Sequence, residues 1–247
     1  MDQTVIAFAQ AGAALRIDFD PPGRRPVPIP EALRFVVASS GETAPKGGAA
    51  RDAYNERVVG ARLAAAMLAD QVGLDIPLHP ILRDVVDVEV IDLLVENLPE
   101  KISAQEVAHG SDADISGLVQ LSAETWDARA KIPVKRLARH ILGEARRVDE
   151  AETALLAGDF AAFGKLLDAS HDSLRNDFKC STPALDRVCA AMRRAGAFGS
   201  RLTGAGFGGF AMAAVSPEKL DAVLAAATAS TGGPAFEVTP SAGLELL

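Results

Sequence analysis

Cysteine is scarce: Cys180 and Cys189 are the only two in 247 residues. They cannot build a disulfide framework for a chain this long, and they lack CxxC spacing. Both are expected to be small buried side chains in a reducing compartment. Positive charge is in deficit, with 25 Lys and Arg against 33 Asp and Glu, a net charge of −8. A nucleic-acid binder ordinarily presents a basic surface, so no nucleic-acid partner is expected. Long hydrophobic runs are missing as well. No apolar stretch reaches the roughly 18–20 residues that cross a bilayer, so no membrane partner is expected. Val5–Ala9 has the look of a secretory core, but Asp2 replaces the basic segment and Gln10 interrupts the run. The expected location is cytoplasmic. His79, His109, His140 and His171 are scattered with no i, i+4 pair, and no metal site is expected on them.

What is present is an ordinary globular balance, 49% hydrophobic and 23% charged. A chain of this length buries roughly 70–75% of its unfolded surface, so core size is no obstacle.

Along the chain, residues 2–12 suit a short helix ending near Gly12, and Ala14–Phe19 alternates like a strand. Pro21, Pro22 and Gly23 stop it. Residues 24–30 carry alternate prolines from Pro26 and read as extended, but as a poor central strand. Leu33–Ala38 is a second strand and 39–50 a loop. Arg51–Gln71 reads as a long helix, and Leu78–Leu98 is assigned helix against its β-branched content. Residues 101–130 are polar, with a small-residue break at His109–Ser111. From Pro133 one helical stripe runs Val134, Leu137, Ala138, Ile141, Leu142, Ala145, Val148. Gly158 and Asp159 read as a helix end and a new N-cap, after which Phe160, Phe163, Leu166, Leu167 and Leu174 carry a second amphipathic helix. Pro183 sits near the first turn of another helix. Then come a strand, a glycine loop, a strand, a helix at 217–229 and a strand at 235–238. Helices followed by β–β–α–β make an α+β pattern rather than a doubly wound one: helices packed on a small antiparallel sheet, preceded by one helix and two strands.

The loop Gly204, Ala205, Gly206, Phe207, Gly208, Gly209 matches G-x-G-x-x-G. The dinucleotide fingerprint needs a helix after the loop, and here Phe210–Val215 looks extended. The protein-kinase loop fails too, since no HRD or DFG follows. What survives is a backbone free of Cβ obstruction that either curls around phosphate or forms a tight hairpin. Ser170, His171 and Asp172 are consecutive on a helix and point apart, so they cannot relay a proton; His171 is expected to be a partly buried structural residue. Asp2 reads as an N-cap, and Tyr54, the single tyrosine, as a packed ring with a wet hydroxyl.

The string SRLTGAGFGG at Ser200–Gly209 resembles the third signature motif of the galactokinase branch of the GHMP small-molecule kinases. HDSLRNDF at His171–Phe178 with STPALD at Ser181–Asp186 resembles the segment before that motif. Arg139–Glu144 and Tyr54–Arg57 follow the family's order, and Met1-Asp2-Gln3 resembles its Met-Asp-Gln segment. The resemblance implies ATP- and Mg²⁺-dependent phosphorylation of a sugar's anomeric hydroxyl. It implies Asp2 as the catalytic base or charge-orienting carboxylate, Tyr54 against the sugar, and the loop Gly204–Gly209 beside the phosphates. It implies a GHMP-kinase C-terminal domain over residues 46–247, with residues 1–45 left from the N-terminal lobe. The family's sugar-binding and ATP-phosphate-loop motifs precede its Met-Asp-Gln segment, with which this sequence opens. The chain is therefore expected to be inactive alone and to need an N-terminal kinase half or to self-associate. Ala205 stands where the family carries Gly, which requires φ < 0 there. Residues 98–130 look more like relatives acting on other sugars such as arabinose. Three readings stay open: a galactokinase-like enzyme, a non-catalytic sugar-sensing or scaffold remnant, and a GHMP kinase for another sugar.

Overall fold

The structure is a computed structural model that describes residues 2–19, 21–43, 49–75, 79–85, 89–110, 115–121 and 125–244. Its elements are α1 (Asp2–Phe8), β1 (Ala13–Phe19), β2 (Pro22–Pro28), β3 (Arg34–Ser39), α2 (Ala49–Gln71), a 3₁₀ turn (Leu82–Val85), α3 (Ile91–Asn97), α4 (Ala104–Gly110), α5 (Ile115–Val119), α6 (Val134–Ala157), α7 (Phe160–Asn176), α8 (Pro183–Arg194), β4 (Gly199–Thr203), β5 (Phe210–Val215), a 3₁₀ turn (Pro217–Lys219), α9 (Leu220–Thr231) and β6 (Ala235–Val238). The class is α+β. The chain packs as two units. The first holds Met1–Ala44, Arg147–Arg175 and Cys180–Leu247, and the second holds Pro45–Arg146 and Asn176–Lys179. Residues 1–44 thus share a unit with most of the C-terminal sequence, and residues 45–146 make up most of the other.

In the first unit a four-stranded antiparallel sheet runs β4-β5-β3-β6. Strand β3 lies inside it, paired with β5 (Val36 opposite Ala213) and β6 (Val36 opposite Glu237). Helix α8 packs on β4 and β5, and α9 on β3 and β6. Phe35 and Ala214, cross-strand partners, share a core with Phe163 and Leu167 of α7 and Ala154 and Leu155 of α6. Gly158 (φ +69) closes α6, and the Ala162 N–H donates to Asp159 Oδ1 at 2.9 Å, the cap expected from the sequence. Helix α7 meets β4 backbone to backbone. A Cβ at Gly164 would lie 2.7 Å from Phe198 Cβ and nearer still to Phe198 O, and one at Gly199 would lie 2.7 Å from Gly164 Cα.

Strands β1 and β2 form a separate antiparallel ribbon. Pro22, Pro26 and Pro28 are tolerated in β2 because a two-stranded ribbon consists of edges. Glu152 of α6 ties both strands down, accepting from Arg16 Nη1 at 2.7 Å and from Arg25 Nε and Nη2 at 2.8 and 2.6 Å. Arg25 first, and then Arg16, holds the Glu152 carboxyl below the usual range. The apolar stripe of α6 does not run as far as its sequence spacing implies. Leu142 is buried, but Ala145 and Val148 are exposed. Val148 instead borders an open apolar groove with Val5, Leu15, Ile17 and Phe19. Ile6 (59% exposed) and Phe19 (68%) are likewise uncovered, whereas β3 is enclosed by its two neighbours.

In the second unit Val59, Leu63 and Leu68 of α2 share a core with Leu137 and Leu142 of α6, Ile132 and Leu118. Ser103 and Glu106 form a reciprocal capping box at α4: the Ser103 N–H donates to Glu106 Oε2 at 2.9 Å and the Glu106 N–H to Ser103 Oγ at 3.3 Å. Bonds from Lys131 first and then from Ser103 pull the Glu106 carboxyl down to about 2. The single helix expected over 78–98 is not formed. Its described residues hold the 3₁₀ turn, a turn at 89–90 and α3, with Val90 at φ −100, ψ 14 interrupting the helical path; residues 78 and 86–88 lie outside the described set. Arg57, 6% exposed, donates to Phe178 O (2.9 Å), Lys179 O (3.0 Å) and Ala53 O.

Candidate functional site

Strands β4 and β5 are hydrogen-bonded neighbours, with Thr203 opposite Phe210, so the glycine loop is the turn of a hairpin. No helix follows it directly, which removes the dinucleotide-binding arrangement. Within the loop Gly204 (φ +77), Gly206 (φ +81), Phe207 (φ +61), Gly208 (φ +120) and Gly209 (φ +83) all have positive φ. Ala205 is not among the positive-φ residues, so the alanine sits where an L side chain is tolerated. Phe207 is a bulky residue in the left-handed region, a conformation that costs about 1–3 kcal/mol and persists only when neighbours enforce it.

Those neighbours are specific. The Phe207 N–H donates to Cys180 O at 2.6 Å, and the Gly209 N–H donates to Glu42 O at 2.8 Å. The Ser40 N–H returns a bond to Gly209 O at 2.8 Å. Gly206 is buried against Cys180, where a Cβ would lie 2.8 Å from Cys180 Cβ. Thr182, the N-cap of α8, accepts from the Leu185 N–H at 3.3 Å and donates its hydroxyl to Glu42 Oε2 at 2.6 Å. The amides of Phe207 and Gly209 are thus committed internally. Gly204 and Ala205 form the exposed tip available to an anion.

The other expected site residues lie elsewhere. Asp2 opens α1, and its side chain lies outside the described set. Helix α1 is held through Ala9 O and Ile6 O, which accept from the Gly243 and Leu244 N–H groups at 2.8 Å each. Tyr54 is on α2 in the second unit. At 63% exposed, its ring is not packed as its composition-based reading implied, and it is open to a ligand. Both cysteines are buried and neither is in a disulfide. His171 is fully rather than partly buried. Glu42, Thr182 and the Cys180 carbonyl escaped sequence reasoning. Two of them act through backbone oxygens, which carry no residue-type signal, although Thr182-Pro183 is a readable N-cap pair.

Among the described residues no group of three or more His, Cys, Asp or Glu could hold a metal ion, and no helix is long and apolar enough to cross a membrane.

Comparison with known proteins gives a consistent result. Residues 151–232 match the family described as GHMP kinases C terminal. The galactokinase of Chloroflexus aurantiacus is 34% identical over 229 residues, covering 92% of this chain and 48% of that protein. The galactokinase of Streptomyces coelicolor is 33% identical over 256 residues, covering 100% of this chain and 55% of that protein. Lactococcus lactis galactokinase, solved in complex with galactose, superposes with a TM-score of 0.64 at 26% identity, covering 98% of this chain and 53% of that one. The chain spans about half the length of the curated relatives it matches. Residues 151–232 therefore match the GHMP kinase C-terminal family, in a chain similar to about half the length of galactokinases.

Proposed function

We propose that this chain is part of a cytoplasmic carbohydrate kinase of the galactokinase type, which transfers the γ-phosphoryl group of ATP to the anomeric hydroxyl of a sugar. The observation that carries this reading is the third-motif string folded as a hairpin turn locked to Cys180 and Glu42. Such a turn supplies a fixed wall with a bare backbone tip, Gly204 and Ala205, on which phosphate can rest. In this reading Asp2 takes the proton of the anomeric hydroxyl as that oxygen attacks the γ-phosphorus. The bond to the β-phosphate's bridging oxygen then breaks and ADP leaves. A positioned base contributes about 10²–10⁴-fold, and positioning supplies much of the rest. Tyr54 lies against the sugar ring. Magnesium would neutralise phosphate charge; among the described residues no group of three or more His, Cys, Asp or Glu could hold it.

In this reading the triphosphate grip comes from a galactokinase-type N-terminal half. With ATP, Mg²⁺ and a panel that includes galactose and arabinose, the purified chain is expected to release no ADP. Adding the N-terminal half of a related galactokinase is expected to restore turnover and identify the sugar. Robust turnover by the chain alone would refute the division of labour. Sugar binding by calorimetry without turnover, even after complementation, would favour a sensing module instead.

The uncovered apolar surface has its own consequence. Val5, Ile6, Phe8 and Phe19 are exposed on α1 and β1, and patches of that kind promote association. Light scattering of the isolated chain is expected to report a dimer or larger species; a clean monomer at high concentration would count against this.

A further inference from the structure

We propose that His171, as a neutral imidazole protonated on Nε2, is the positioning residue of the glycine loop, joining the strand that enters the loop to the segment that holds its far side. It goes beyond the kinase reading in assigning a residue, and rests on that reading only for the loop's importance.

The geometry identifies the tautomer. The Leu202 backbone N–H can only donate, and its nitrogen lies 3.2 Å from His171 Nδ1. Nδ1 therefore presents its lone pair, and the ring proton is on Nε2, 3.1 Å from Asp186 Oδ1. The same Asp186 oxygen accepts the Ser181 hydroxyl at 2.6 Å. Ser181 follows Cys180, whose carbonyl accepts the Phe207 N–H. Leu202 lies two residues before Gly204. One ring thus touches the strand that enters the loop and, through Asp186 and Ser181, reaches the residue next to the loop's anchor. Cys189 Sγ is 3.7 Å from Nδ1; burial pushes its thiol up to about 12, so it remains a weak S–H donor facing the same lone pair.

A second proton on the ring would set Nδ1–H against the Leu202 N–H and break this link. The charged groups acting on the ring are Arg175 from α7 and Asp186 and Arg193 from α8, while Asp168 of α7 acts on the neighbouring Cys189. Arg201 Nε donates to Leu202 O at 3.1 Å, and Asp168 accepts from Arg193 and the Ser200 N–H at 3.0 and 2.8 Å. Burial first, and then Arg193 and Arg175, hold His171 below the ordinary histidine value, against the pull of Asp186. The unfolded chain binds this proton at about pH 6.5, the ordinary histidine value, and the folded chain only at lower pH. Between the two values the unfolded state carries more protons, so stability from this residue is full above about pH 6.5 and declines as pH falls below it.

The test uses the whole chain and no catalytic assay. Nitrogen-15 NMR of the ring at pH 7 is expected to show the Nε2–H tautomer, and amide exchange is read over residues 202–209. In His171→Asn the amide oxygen takes the place of Nδ1 and still accepts from Leu202. In His171→Gln the amide reaches Asp186 and leaves Leu202 unpaired. Exchange at residue 202 is expected to stay near wild type in the first variant and to rise about tenfold in the second, the loss of one buried hydrogen bond. Exchange at residue 207 is expected to rise in the first, which loses the bond to Asp186. An Nδ1–H ring, or equal exchange in both variants, overturns the proposal. The NMR measurement needs only wild-type protein, so it decides the matter should either variant fail to fold. If the tautomer and exchange are as expected but complementation gives no turnover, His171 keeps its role and the kinase reading falls.

Discussion

Alanine at Gly164 or Gly199 is expected to lower stability by more than about 3 kcal/mol, at or beyond the upper end of ordinary overpacking. The two glycines face each other where α7 crosses the start of β4. The atoms a new methyl group would strike are backbone: Phe198 C and O for Gly164, and Gly164 C, O and Cα for Gly199. A flexible side chain can swing aside for a few tenths of an ångström, but a carbonyl in a helix or strand moves only with its whole element. Separating α7 from β4 would also uncover Phe163 and Leu167, which close one face of the sheet. A domain typically has 5–15 kcal/mol in total, so a loss of this size removes a large part of it. Denaturant midpoints measure it, with Gly204→Ala as the control. Gly204 has nothing within 4 Å of a built Cβ, so its change carries only the cost of a positive φ, about 1 kcal/mol. A shift in Gly164→Ala no larger than in that control would mean that helix and strand are not in contact.

The second large effect is expected at Gly206. This residue combines a φ of +81 with a Cβ position 2.8 Å from Cys180 Cβ and closer to Cys180 O. Alanine there meets conformational strain and collision together, and the relief route is to push the loop off Cys180. The Phe207–Cys180 bond goes with it, and Phe207 loses what keeps it at φ +61. We expect Gly206→Ala to expose the loop amides to exchange and, in a complemented enzyme, to cut turnover by about 100-fold, the scale of an ångström-level misplacement. Gly209→Ala has an open Cβ position and a comparable φ, so it separates strain from collision. Equal losses at 206 and 209 would assign the effect to backbone strain alone.

Much of this architecture was readable from residue patterns, and the failures have physical causes. The Gly158 stop, the Asp159 cap and the extended segment after the glycine loop depend on local backbone chemistry, and each is where the sequence implied. The hairpin reading of G-x-G-x-x-G followed from the absence of a helix after it, and Ala205 met its φ condition. The α6 stripe held through Leu142 but not at Val148, because periodicity marks an apolar face without saying whether anything covers it. Residues 78–98 misled because β-branched residues at helical spacing do not reveal a turn at Val90. The capping box Ser103–Glu106 was legible in principle, yet it was lost inside a stretch read only as polar. The loop's anchors were out of reach: Cys180 and Glu42 hold it through carbonyls, and His171 through a ring nitrogen whose state depends on partners 15 and 31 residues away.

The interior place of β3 bears on how the chain is made. Residues 34–39 leave the ribosome well before their two sheet neighbours, residues 210–215 and 235–238. At synthesis rates of about 5–20 residues per second, the interval before the last of them emerges is on the order of 10–40 s. Until residues 210–215 emerge, late in that interval, Phe35, Val36 and Val37 have neither ladder partner. The second unit, whose segments lie almost wholly within 45–146, can close within that interval. A nascent chain thus carries a finished helical body behind an orphaned apolar strand, the kind of segment that molecular chaperones shield.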